Sequence, residues 1–154
     1  MLDKLFTCAV LGAGTMGSQI ALSLALGGAR VTLWGRREES LAPAHATCGV
    51  SFDFLAKNGL ANIGDRDDVL RRIDTTSNFG SAVDGKGFVI EAISEDLSLK
   101  QEILAQAESF AVDDAILSST TSALSATAIQ TALVRPENFC IAHYAQPAHL
   151  VELV

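Results

Sequence analysis

Gly12-x-Gly14-x-x-Gly17 is the stretch whose residue types and spacing most directly suggest chemistry. It follows the apolar run from Phe6 to Leu11 and leads into a nearly all-apolar helical pattern from Met16 to Leu26, which reads as strand, glycine turn and helix. Gly12 permits the tight turn. Gly14 removes the Cβ that would keep a pyrophosphate from the backbone, and Gly17 lets the helix lie close to the strand. The N–H groups of the first helical turn, at Thr15, Met16 and Gly17, then face the phosphates, and the helix dipole favours negative charge there. In this setting the motif points to a dinucleotide cofactor rather than to a ligand-free turn.

The next chemistry-bearing position lies at the end of the second strand, Val31 to Trp34. A dinucleotide fold normally carries an acid there to accept hydrogen bonds from the adenosine ribose. Here Gly35 stands instead, followed by Arg36 and Arg37. With no carboxylate to repel a 2′-phosphate and two guanidiniums to bind one, the cofactor is expected to be NAD or NADP, with NADP suggested by Gly35-Arg36-Arg37.

The elements that must position these groups alternate along the chain. Gly27-Gly28 stops the first helix, and Glu38 to Lys57 reads as a helix interrupted at Pro43 and Gly49 and ended by Asn58-Gly59. Asp65 caps a second short helix, so a helical excursion follows the second strand, either serving a substrate or only packing. Ile73 to Thr76, Gly87 to Ile93, Ala115 to Ser118 and Phe139 to Ala142 read as strands, with a last strand over Leu150 to Val154. Helices are expected over Phe79 to Val83, after Asp96, and over Ala126 to Leu133. This alternation predicts an α/β, Rossmann-type, doubly wound and mainly parallel sheet, with residues 1–154 forming one dinucleotide-binding domain.

Composition excludes other classes. The formal net charge of -7 argues against a nucleic-acid partner. No apolar run approaches the ~18 residues needed to span a bilayer, which argues against a membrane role. Cys8, Cys48 and Cys140 are far apart and odd in number, and Cys8 and Cys140 fall in strand-like runs, so buried free thiols in a reducing cytoplasm are expected. His45, His143 and His149 have no partners at metal-ligand spacing.

Several separated motifs agree on a family. They are Val10-Leu11-Gly12-Ala13-Gly14-Thr15-Met16-Gly17, Ile90-Glu91-Ala92-Ile93-Ser94-Glu95-Asp96-Leu97-Ser98-Leu99-Lys100, Ser119-Thr120-Thr121-Ser122, Arg135-Pro136-Glu137, His143-Tyr144-Ala145-Gln146-Pro147 and Leu150-Val151-Glu152-Leu153-Val154. In order and in most separations the sequence resembles the N-terminal NAD-binding domain of the L-3-hydroxyacyl-CoA dehydrogenases, over essentially its whole length.

That resemblance implies an oxidoreductase moving hydride between a 3-hydroxyacyl-CoA, or a similar 3-hydroxy acid, and NAD(P). It implies that Glu95 and Lys100 contact the cofactor, with Gln146 in place of the family's usual asparagine. It also implies that Ser122 contacts substrate, that His143 is the catalytic base and that Glu152 orients it. Such roles suit the chemistry. Oxidising a secondary alcohol needs a base for the hydroxyl proton, histidine titrates near neutral pH, and a carboxylate on its other ring nitrogen fixes the tautomer.

Departures from the family pattern are Gly35, Thr120 in place of asparagine, Gln146, and a Pro147–Leu150 segment about three residues shorter than usual. The family's C-terminal helical domain, which forms the dimer, closes over the acyl-CoA and supplies an asparagine, is absent from these 154 residues. Self-association or a helical partner domain is therefore expected. The alternative is a non-catalytic dinucleotide-binding module or sensor that needs a partner chain.

Overall fold

A computed structural model describes residues 7–60, 64–151 and 154. Among these, strands β1 (Thr7–Leu11), β2 (Arg30–Trp34), β3 (Ile73–Thr76), β4 (Phe88–Glu91), β5 (Ile116–Ser119) and β6 (Phe139–Ile141) form one sheet in the order β3-β2-β1-β4-β5-β6. Every neighbouring pair is parallel. Helices α1 (Thr15–Leu26), α2 (Leu41–Asn58), α3 (Arg66–Leu70), α4 (Phe79–Val83), α5 (Leu97–Phe110) and α6 (Ala126–Gln130) make the crossovers. The expected doubly wound α/β architecture and the helical excursion after the second strand are both present.

Each central strand is apolar on both faces because helices cover both. Cys8 and Val10 pack with Ile20, Leu22, Cys48 and Phe52 on one side, while Ala9 and Leu11 pack with Val83, Leu104 and Ile129 on the other. Burial on both faces is what turns the strands of a parallel sheet into continuous hydrophobic runs. The strand ends align in one rung: Leu11 pairs with Trp34 and Glu91, Glu91 with Ser119, and Ser119 with Ile141. The residues that follow, Gly12, Gly35, Ala92, Thr120 and Ala142, therefore leave the sheet on one edge. The order of strands reverses between β1 and β4, and the opening lies there, outside the carboxyl ends of the strands.

Four sequence expectations are corrected. Neither Pro43 nor Gly49 interrupts a helix, because α2 starts at Leu41, after a 3₁₀ turn over Glu38–Ser40, and runs unbroken to Asn58. Pro43 thus falls in the first turn, where the missing N–H is not needed. The helix expected to reach Leu133 ends at Gln130, with Thr131 as its C-cap. The last strand does not begin at Leu150, whose N–H instead bonds Pro147 O at 2.9 Å in a turn. Residues 152–153 lie outside the described residues. Finally, Cys8 and Cys48 are buried as expected, but Cys140 is exposed, because β6 is an edge strand.

Candidate active site

The glycine turn is shaped by close backbone approach. Gly12 has φ +129, and a Cβ there would lie 2.5 Å from Ala92 O, so β1 and β4 can leave the sheet side by side only with glycine at this point. A Cβ on Gly17 would lie 1.7 Å from Gly12 O, which is how closely α1 rests on the turn. Gly14 is different: nothing lies within 4 Å of where its Cβ would be. Its open side faces solvent at the start of α1, which has no side-chain cap and no acid in its first turn. The first intrahelical bond is Ser18 N–H to Gly14 O at 3.0 Å, so the N–H groups of Thr15, Met16 and Gly17 precede it. A pyrophosphate fits this cradle on both shape and charge.

Beside it is a cleft of about 280 Å³ lined by Gly12, Gly14, Trp34, Arg36, Ile93 and Leu99, among others. Arg36 thus faces the same space as the glycines. Arg37 does not line it; its guanidinium stands 3.6 Å from Glu39 with both side chains exposed. At Gly35 the missing acid is replaced by packing. A Cβ there would meet Ser40 Oγ at 2.7 Å, Ala13 Cβ at 2.8 Å and Leu41 Cδ2 at 2.9 Å.

The second half of the site lies after β5 and β6. Ser122 Oγ is 2.9 Å from His143 Nε2, and both residues are exposed. The structure thus brings together two of the three residues expected to act on substrate. The third, Glu152, lies outside the described residues. Gln146 is exposed in the loop after His143.

Glu95 and Lys100 belong to a network that the sequence reading did not foresee. Lys100, at the fourth position of α5, is fully buried. Its ammonium lies 2.9 and 3.0 Å from the two oxygens of Glu91, itself fully buried at the end of β4, and 3.4 Å from Ile93 O. It also stands 3.3 Å from Glu95 Oε2. Glu91 in turn accepts hydrogen bonds from the Ser119 hydroxyl and from Ile93 N–H. Glu95 Oε1 accepts from the Thr121 hydroxyl and from the N–H groups of Ser122 and Ala123, each at 3.2 Å. The Thr121 hydroxyl foremost, then Ala123 N–H and Lys100, hold the Glu95 carboxyl below its ordinary value against the opposing effect of burial. A signal for Lys100 was present in the sequence: it shares the helical stripe of Ile103, Leu104 and Ala107, a buried face where a lone lysine needs a partner.

Comparison with known proteins decides the family. The family described as "3-hydroxyacyl-CoA dehydrogenase, NAD binding domain" matches residues 7–154. The chain belongs to that family. The chain is 34% identical, over 95% of its length, to the fatty acid oxidation complex subunit alpha of Pseudomonas aeruginosa, and spans 20% of that protein. It is similar to the (S)-3-hydroxybutyryl-CoA dehydrogenase of Ralstonia eutropha, with TM-score 0.86 and 29% identity over 94% of this chain and 50% of the other. The 3-hydroxybutyryl-CoA dehydrogenase of Escherichia coli gives TM-score 0.85 and 30% identity over 92% of this chain and 30% of the other. The chain therefore spans half or less of the length of these relatives. Among the described residues, no helix is long and apolar enough to cross a membrane.

Proposed function

We propose that this domain supports reversible oxidation of a 3-hydroxyacyl-CoA, or a similar 3-hydroxy acid, with NAD or NADP as hydride acceptor. The contact that carries the reading is Ser122 Oγ to His143 Nε2 at 2.9 Å, on the sheet edge where the glycine turn also lies. The printed names of the relatives, 3-hydroxybutyryl-CoA dehydrogenases among them, support the substrate class.

The cofactor's pyrophosphate would rest on Gly12, Gly14, Thr15, Met16 and Gly17, and its adenosine end in the cleft beside Trp34 and Arg36. Bound nicotinamide supplies the acceptor for the hydride leaving the substrate carbon. Ser122 donates a hydrogen bond to the reacting oxygen and holds it against His143. His143 takes the hydroxyl proton as the carbonyl forms, and returns it in reduction. Arg36 facing the cleft, with no acid at position 35, supports NADP as the preferred form. Arg37 would assist from outside the cleft.

Both Ser122 and His143 are exposed, so nothing in these residues excludes water from the reacting groups. This favours slow turnover by the chain alone and faster turnover beside a helical partner domain or a second copy that walls the site. Cys8, Cys48 and Cys140 lie outside any disulfide, and this supports a reducing, cytoplasmic setting.

The test follows nicotinamide absorbance with a 3-hydroxyacyl-CoA and each cofactor. His143→Ala is expected to lose about 100- to 10,000-fold in rate. Its cofactor affinity is expected to hold, since the phosphates rest on the glycine turn. Undiminished rate in this variant would refute the assignment. Cofactor binding without turnover, even beside the helical domain of a relative, would instead favour the binding-module reading.

A further inference from the structure

The stretch from Thr120 to Ser125 carries Ser122, yet no helix or strand contains it; α6 begins only at Ala126. Its shape must come from hydrogen bonds, and three of its donors converge on one atom. Glu95 Oε1 accepts from the Thr121 hydroxyl, Ser122 N–H and Ala123 N–H. Thr121 Oγ1 then accepts from Leu124 N–H at 3.0 Å, which extends the same turn. The other carboxylate oxygen, Oε2, stands 3.3 Å from the Lys100 ammonium, which the core fixes in place. Glu95 thus bridges a rigid buried cation and the loop, whose next contact outward is Ser122 Oγ to His143.

We propose that Glu95 is a positioning residue, holding the Ser122 loop in the shape that sets Ser122 against His143. Lys100 acts behind it as the fixed anchor. Its ammonium is buried and held by Glu91, Glu95 and Ile93 O. The geometry makes reach matter as much as charge. An oxygen withdrawn by one methylene no longer meets the two N–H groups, whereas a neutral amide oxygen at the same reach still can.

This inference rests on the reading of Ser122 and His143 given above, and the imidazole itself reports on it. Ring-nitrogen NMR shifts of His143 are recorded in the full chain for wild type, Ser122→Ala, Glu95→Ala, Glu95→Asp and Glu95→Gln, alongside titrations with NAD and NADP. The Ser122→Ala variant should shift the ring nitrogens. Glu95→Ala and Glu95→Asp should shift them the same way, and Glu95→Gln should bring them back toward wild type. The imidazole shift reads the positioning role, and the titrations report separately on any contact of Glu95 with the cofactor. Where turnover is measurable, Glu95→Asp should lower kcat by about 100-fold, as expected for a displaced reacting group.

Each contrary result has a separate meaning. If Ser122→Ala leaves the imidazole unmoved, the Ser122–His143 pair is not formed in solution, and the reading and the inference both fail. If Ser122→Ala moves it but Glu95→Asp does not, the inference alone fails. Loss of cofactor affinity in Glu95→Asp with an unmoved imidazole would make Glu95 a cofactor contact and overturn its positioning role. Glu95→Asp keeps the carboxylate near Lys100, so the test stands even if Glu95→Ala does not fold.

Discussion

Lys100 Nζ lies 2.9 Å from Glu91 Oε1 and 3.0 Å from Oε2, with side chains 1% and 0% exposed. The pair joins the first turn of α5 to the last residue of β4, just beneath the site. Removing one member strands the other's charge in the core. Lys100→Met is expected to cost about 3–5 kcal/mol of folding stability, read by urea unfolding. Lys100→Met combined with Glu91→Gln should recover part of that loss, because the remaining side chain is neutral and can still accept from Ser119 or Ile93. A double variant no more stable than Lys100→Met would show that the loss is not electrostatic.

The glycine turn separates two kinds of damage. In Gly17→Ala the new methyl meets Gly12 O, a backbone atom, at 1.7 Å, so α1 must move. Stability should fall by about 1–3 kcal/mol, and cofactor affinity should fall with it. In Gly14→Ala the methyl meets no protein atom within 4 Å. Stability should hold to within about 1 kcal/mol, while cofactor affinity should drop about tenfold or more, equivalent to 1.4 kcal/mol. Paired melting curves and cofactor titrations check the contrast. Unaltered affinity in Gly14→Ala would place the pyrophosphate elsewhere.

Arg36 and Arg37 should differ in their effect on cofactor choice. Arg36→Ala is expected to weaken NADP binding by about 1.5–3 kcal/mol, the contribution of a hydrogen bond to a charged group, and to leave NAD nearly unaffected. Arg37→Ala should do less, since Arg37 lies outside the cleft. Calorimetry with each cofactor decides the matter, and wild-type NAD binding tenfold tighter than NADP would end the proposal. Gly35→Asp should not simply convert the site, because its Cβ would stand 2.8 Å from Ala13 Cβ. That variant is expected to lose stability before it gains a ribose contact.

Glu95 ties stability to pH. Its hydrogen bonds, Thr121 first, hold the folded-state value below the ordinary 4.5, so the folded chain binds the proton less readily than the unfolded one. The resulting stabilisation is fully present above the unfolded value and disappears as pH falls through the folded one. The stability gap between wild type and Glu95→Gln should therefore narrow from neutral pH into acid. A gap that widened on acidification would show the opposite shift.

The sequence made the sheet legible because its signals are local. Glycine at fixed offsets, apolar runs the length of a strand and acids capping helices at Asp65 and Asp96 each act within a few residues. What it hid depends on partners far along the chain. Glu91 read only as part of the strand Gly87 to Ile93, and Lys100 only as a cofactor contact implied by the family pattern; their mutual burial appears only once α5 lies on β4. Leu150-Val151 read as strand because apolar residues in series look alike whether they pair in a sheet or fill a cleft. Here they line a cleft with Leu24, Leu55 and Tyr144. Ser122 and His143 were singled out through the family pattern, and their 2.9 Å approach is a property of the fold.

The buried Ala148 is held at both its backbone groups by α1: its N–H donates to Gln19 Oε1 at 2.9 Å and its carbonyl accepts from Ser23 Oγ at 3.0 Å. These bonds span 129 and 125 residues of sequence. On the ribosome, the helix that follows the glycine turn is made well before the segment that satisfies its polar side chains, which emerges 125 residues after Ser23. Until then the nascent chain carries Gln19 and Ser23 without Ala148 as their partner. Closing so long a loop is a late and slow step in assembly. The phosphate cradle and the histidine loop thus mature together, and a nascent chain stopped before Ala148 would leave both unfinished.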